Sequence, residues 1–179
     1  MTNDLEGGGY TRHKGCDHIF FIGFLGAGKS TVARNLGRLF NRRHLDTDRM
    51  VVHREHASVA ELFATVGEER FRDYERVALT QLKREKSCLV SCGGGIVKRG
   101  ENLRALHQNG VVLFIDRPLD ALTVGGGRPL SSSPEALRQM EAERRPLYLA
   151  AADAVIPNSG TVEDAVAAAM EALDEIFSH

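Results

Sequence analysis

The segment Gly23-Phe24-Leu25-Gly26-Ala27-Gly28-Lys29-Ser30 constrains this chain more than any other feature. It matches the pattern G-x-x-x-x-G-K-[ST] in full. The apolar run Ile19-Phe20-Phe21-Ile22 precedes it, and a segment of helical period (Val32, Leu36, Phe40) follows. Strand, glycine loop and helix in that order are what the motif's chemistry demands. The glycines let backbone N–H groups curl around phosphate oxygens, and the helix N-terminus adds the positive end of its dipole. Gly26, Ala27, Gly28, Lys29, Ser30 and Thr31 are therefore candidate nucleotide-binding residues. Lys29 is placed to reach the β- and γ-phosphates, and Ser30 to ligate Mg²⁺. The competing reading, a plain glycine turn with an exposed lysine, leaves the flanking strand and helix unexplained.

Four more apolar runs (44–46, 88–92, 111–116 and 154–157) join the first, at 18–24, as expected strands. Helical segments lie between them. Ser58-Val59-Ala60-Glu61 reads as a capping box. Thr161 reads as the N-cap of a last helix, with Val162, Val166, Ala169, Leu173 and Ile176 on one stripe. Strands alternating with helices predict an α/β fold: a parallel sheet covered on both faces, with ligands outside the carboxyl ends of the strands. Residues 18–177 are expected to form one domain, without repeat or linker. Residues 1–17, polar and Gly-rich without periodicity, read as a disordered extension.

Composition removes several classes of function. Lys and Arg number 23 against 24 Asp and Glu, a formal charge of −1, which offers no footprint for general nucleic-acid or anionic membrane binding. No apolar run nears the roughly 18 residues of a membrane span. Three widely spaced cysteines fit a reduced, cytoplasmic protein better than a disulfide framework. The guanine-reading tetrapeptide Asn-Lys-x-Asp of a GTPase is absent.

Other clusters sit where strands are expected to end. Asp46-Thr47-Asp48 closes the second; two carboxylates at i and i+2 on an extended segment point the same way. Beside a nucleotide, one can order Mg²⁺ and the other can orient or accept the proton of an acceptor hydroxyl. An Asx-rich turn capping the next helix is the bland alternative. Gly93-Gly94-Gly95 leaves space and N–H groups for a second ligand. Arg72 and Glu75 have i, i+3 spacing, a pattern that is commonly a solvated surface pair. Glu143-Arg144-Arg145-Pro146-Leu147-Tyr148 is expected to end a helix. Gly125-Gly126-Gly127-Arg128-Pro129-Leu130, followed by three serines, suits a mobile lid over about 123–134 that lowers a cation onto a transferring phosphoryl group. Cys88 and Cys92 read as buried thiols, and His53 and His56 as solvated.

Taken together, these marks resemble the shikimate kinases, from about Ile19 to Leu173. The resemblance rests on the P-loop, Leu45-Asp46-Thr47-Asp48, Leu62-Phe63, Gly67-Glu68 through Phe71-Arg72 to Glu75, the triple glycine, Arg128-Pro129-Leu130 and Arg144 to Tyr148, in the family's order and spacing. It implies a five-stranded sheet of order 2-3-1-4-5 and a monomer that transfers the ATP γ-phosphate to the 3-hydroxyl of shikimate, giving shikimate 3-phosphate and ADP. It also implies roles. Asp48 contacts the acceptor hydroxyl, Arg72 and Arg144 hold the carboxylate, and Gly93, Gly94 and Gly95 contact the substrate. Ser30 with Asp46 manages Mg²⁺, and Lys29 and Arg128 stabilise the transferring group. Two positions depart from the family's pattern. Ala121 stands where an adenine-packing Arg is usual, and the lid reads Arg-Pro-Leu-Ser instead of Arg-Pro-Leu-Leu. The rival readings are another small P-loop kinase, for a nucleoside monophosphate or gluconate, and a non-catalytic nucleotide-binding module.

Overall fold

Five parallel strands in the order β2-β3-β1-β4-β5 form the centre of the molecule. The structure is a computed structural model that describes residues 17–122 and 133–178. The expected extension over 1–17 and the expected lid, with Arg128, thus fall mostly outside the described residues. The strands are β1 (His18–Ile22), β2 (His44–Asp46), β3 (Leu89–Ser91), β4 (Gly110–Asp116) and β5 (Ala154–Pro157). Every residue of β1 is buried, as are the first six of β4. These two strands are covered on both faces, so they read as continuous apolar runs instead of alternating ones. Their register pairs His18 with Gly110 and Ile22 with Phe114, so both start at the same level and β4 runs on to Asp116 beyond the end of β1.

The helices are α1 (Lys29–Leu39), α2 (Thr47–Glu55), α3 (Val59–Leu82), α4 (Gly100–Asn109), α5 (Pro134–Ala151) and α6 (Val162–Phe177). Ser58 closes the expected capping box with Glu61, and Thr161, expected only as an N-cap, also forms a capping box, with Asp164. Such a cap is worth about 1 kcal/mol over alanine. The helix α3 comprises two pieces joined across a kink at Gly67 (φ 79°, ψ 170°). One large core fills the space between the sheet and its helices, and a smaller one gathers Val51, Leu62, Phe71 and Ala78 between α2 and α3.

Three local expectations change. The first strand stops at Ile22 and the third spans only Leu89–Ser91, because the chain turns into its glycine loops earlier than apolarity alone suggests. Asp48 is not on an extended segment. Asp46 accepts a hydrogen bond from the Arg49 amide at 3.1 Å and starts α2 there, which puts Asp48 in the first helical turn. The segment around Arg144 does not end its helix: α5 runs on to Ala151 with Pro146 inside it.

Candidate active site

The P-loop turn leaves the end of β1 and enters α1 at Gly28, whose backbone is left-handed (φ 94°). It is pinned from the far side by Asn158, just past β5, whose side-chain amide donates to the Ala27 carbonyl at 2.7 Å. The Lys29 ammonium curls back over the loop and donates to the carbonyls of Gly23 (2.8 Å) and Phe24 (2.7 Å). That posture holds the cation above the loop amides, where phosphate oxygens sit in such motifs. The Ser30 hydroxyl donates to Asp46 Oδ2 at 3.3 Å. Asp46 therefore has two tasks: one carboxylate oxygen caps α2 and the other faces Ser30.

Asp48 is placed by its neighbour. Thr47 is fully buried, and its hydroxyl accepts a hydrogen bond from the Gly93 amide at 2.9 Å. This ties the first turn of α2 to the triple glycine. A cavity of about 190 Å³ is lined by Gly26, Gly28, Lys29, Ser30, Thr31 and Asp46, and also by Asp48. The phosphate-binding groups and Asp48 thus share one space.

The triple glycine lies against Asp48, Glu75, Arg72 and Arg144. A Cβ at Gly93 would stand 2.5 Å from Asp48 Oδ1 and 2.8 Å from Glu75 Oε1, and one at Gly95 would fall on the Arg72 guanidinium. Only glycine lets these charged groups approach so closely. Arg72 is buried in α3, not solvated. It donates to Glu75 at 2.8 Å and to Glu68 at 3.0 Å. Burial works against the Arg72 charge, but the two carboxylates outweigh it and raise its pKa. Burial also pushes Glu75 up, opposed first by the Arg72 charge beside it. A hydrogen bond from Lys98 at 2.6 Å, aided by Arg72, holds Glu68 down at about 2.

The two adjacent arginines of α5 part company. Arg145 makes a two-point contact with Asp116, at 2.8 and 2.7 Å, while Arg144 is buried beside Gly94. Arg72 Nε, Arg144 Nε and Glu75 Oε1 are buried with no hydrogen-bond partner among the described residues. Unsatisfied buried polar atoms grouped in this way are ones that a ligand or ordered water would complete.

Lys29, Ser30, Asp46, Asp48, Arg72, Arg144 and the three glycines therefore converge on the carboxyl ends of β1, β2 and β3. Sequence reasoning missed Glu75 and Tyr148 as parts of this group. For Glu75 a signal existed: Phe71, Arg72, Glu75, Ala78, Leu79 and Leu82 all fall on the buried stripe of α3. Cys88 and Cys92 are buried thiols, and burial raises the pKa of both. His53 and His56 are exposed, with ring centroids 6.4 Å apart.

A parallel sheet of this order, with a P-loop at its central strand and a carboxylate across the phosphate space, defines a P-loop phosphotransferase of the small-molecule kinase class. Comparison with known proteins narrows that class. The family model for shikimate kinase matches residues 25–174. The shikimate kinase of Symbiobacterium thermophilum is 36% identical over 168 residues, covering 88% of this chain and 97% of that protein. That of Clostridium beijerinckii is 34% identical over 154 residues, covering 83% and 89%. A solved structure of shikimate kinase from Acinetobacter baumannii in complex with shikimate superposes with a TM-score of 0.83 at 31% identity, covering 90% of this chain and 93% of that one. The chain belongs to the shikimate kinase family and is an ATP-dependent kinase.

Proposed function

We propose that this site transfers the γ-phosphate of ATP to the 3-hydroxyl of shikimate, giving shikimate 3-phosphate and ADP. The observation that carries the reading is the cavity shared by Lys29, Ser30 and Asp48. The acceptor oxygen bonds to the γ-phosphorus as the bond to the β–γ bridging oxygen breaks, and ADP leaves with that electron pair. Asp48 orients the acceptor hydroxyl and receives its proton. Lys29 and Arg128 meet the charge that develops on the transferring group. Arg72 and Arg144 take the acceptor's carboxylate, since planar guanidinium forks match it in two-point geometry better than ammonium groups. Gly93, Gly94 and Gly95 make the floor beneath it.

Ser30 and Asp46 offer only oxygen donors, which suits Mg²⁺, an ion that usually keeps several waters and takes phosphate oxygens as well. Ser30 and Asp46 would hold it, and it would supply positive charge against the phosphates. The chain works as a cytoplasmic monomer, one domain over 18–177 with Arg128 on a lid over about 123–134. No nucleic acid or membrane takes part. Among the described residues no helix is long and apolar enough to cross a membrane.

A coupled ADP-release assay over shikimate, quinate, gluconate and AMP tests the assignment. Turnover is expected with shikimate and not with gluconate or AMP. Asp48→Asn, which can orient a hydroxyl but not accept its proton, should lose about 100-fold or more in turnover while still binding ATP. Turnover of shikimate by that variant near the wild-type rate would remove Asp48 from the chemistry.

A further inference from the structure

Arg72 and Arg144 both lie against the triple glycine but are held differently. Arg72 is oriented by two carboxylates, Glu75 and Glu68. Among the described residues Arg144 has no carboxylate within ion-pair distance, although it is buried and its Nε lacks a partner. A buried guanidinium on a long, flexible side chain needs something to fix its direction. A carboxylate in that role would also neutralise the charge that an incoming anion needs.

Tyr148 occupies that place. It lies one turn beyond Arg144 on the buried side of α5 and is wholly enclosed. Its hydroxyl donates to the Gly94 carbonyl. A methyl group placed on Gly94 would stand 3.4 Å from Arg144 Nη1 and 3.5 Å from Tyr148 Oη, so all three groups meet at one point. The hydroxyl oxygen retains lone pairs for the guanidinium while its proton is committed to Gly94. Burial pushes the phenol up to about 12 against the pull of Arg144, so it remains a neutral donor at physiological pH. The ring itself is clamped. It meets Phe24 of the P-loop edge-on (centroids 4.9 Å apart, 84° between planes) and stacks on Phe114 of β4 (5.1 Å, 25°).

We infer that Tyr148 is a positioning residue for the acceptor's carboxylate. Its neutral hydroxyl fixes the Gly94 peptide and the Arg144 fork in one arrangement without consuming the Arg144 charge. This rests on the reading of Arg144 as part of the carboxylate clamp. Tyr148→Phe keeps the clamped ring and removes only the hydroxyl.

The test compares Tyr148→Phe, Arg144→Lys and the double variant in the ADP-release assay, with calorimetric titration of shikimate and a thermal midpoint for each. Expected are a fivefold or greater rise in KM for shikimate in Tyr148→Phe, a KM for ATP within twofold of wild type, and a weakened shikimate affinity by calorimetry. Arg144→Lys should raise the shikimate KM about tenfold, and the double variant should be little worse than Arg144→Lys alone, because both act through one contact. An unchanged shikimate affinity in Tyr148→Phe beside a raised KM in Arg144→Lys would overturn the role of Tyr148 and leave the clamp standing. A lowered thermal midpoint with unaltered shikimate affinity, or equal effects on both substrates, would reduce Tyr148 to a packing residue. No effect of Arg144→Lys on the shikimate KM would overturn the clamp and, with it, this role for Tyr148.

Discussion

At Gly95 a single added methyl group would land on the Arg72 guanidinium, whereas at Gly94 it would meet nothing closer than Arg144 Nη1, at 3.4 Å. Neighbouring glycines of one tripeptide are thus required for different reasons. Gly95 makes room for a side chain that is already present, while Gly94, on the proposed reading, keeps room beside Arg144 for the acceptor. Substitution separates the two. Gly95→Ala should displace Arg72 from Glu75 and cost about 3–5 kcal/mol, the scale of breaking a buried ion pair. Gly94→Ala should change stability by no more than about 1 kcal/mol, the ordinary scale of a point change, yet raise the KM for shikimate at least about tenfold by intruding on the acid. Urea unfolding together with KM measurements distinguishes them. If Gly94→Ala bound shikimate as tightly as wild type, no ligand would lie against Gly94. The motif Gly-Gly-Gly was legible in the sequence as a place for a ligand. Which glycine served which neighbour was not, because the partners come from α2, α3 and α5, all distant in sequence.

On the scale of elements, α3 shows why local pattern underdetermines a site. Arg72 and Glu75 at i, i+3 look like a surface pair, but the buried stripe Phe71, Ala78, Leu79 and Leu82 carries both of them inward. The pair is 2.8 Å long with almost no solvent around it. Glu75→Gln leaves Arg72 with only the partly exposed Glu68, so it should cost about 3 kcal/mol or more in urea unfolding, far above the ~0.5 kcal/mol of a surface pair. A loss within that surface range would mean that water or a ligand carries the charge. The capping box at Ser58 and the N-cap at Thr161 were readable directly, since each is made within four residues. The Asp46-Thr47-Asp48 segment was readable in chemistry but not in conformation. Its first carboxylate caps α2, so the helix begins under Thr47 and the pair is not extended. Likewise the segment from Glu143 to Tyr148, with its adjacent arginines, was expected to end a helix, yet α5 continues because Tyr148 and Ala151 are buried against the core beyond it.

For the molecule as a whole, the strand order was legible through the family resemblance, but the register was not, because β1 and β4 are buried on both faces and carry no alternation to fix it. One buried group joins this architecture to pH. His18 opens the central strand and is almost fully enclosed. Its Nδ1 accepts a hydrogen bond from the Cys88 amide at 3.1 Å, which leaves the proton on Nε2, 2.9 Å from the Leu82 carbonyl. The neutral ring therefore bridges β1, the end of α3 and the start of β3. A second proton on Nδ1 would face the Cys88 N–H. Burial lowers the His18 pKa, with Arg42 also disfavouring the charge, while Leu82, Glu85 and Asp17 oppose the shift. Because the folded-state value is depressed, this contribution to stability is complete above the unfolded value of about 6.5 and is lost as pH falls through the window below it. The unfolded chain takes up a proton there that the folded chain refuses, at up to about 1.4 kcal/mol per pH unit for one proton. Denaturant unfolding between pH 7.5 and 5.0 should show this fall in the wild type and a flatter profile in His18→Gln, from a lower starting stability. His44, also depressed by burial, contributes to the wild-type slope, so the difference between the two profiles is the quantity to read. Parallel profiles would show that His18 titrates alike in both states and that its two hydrogen bonds do not hold it neutral.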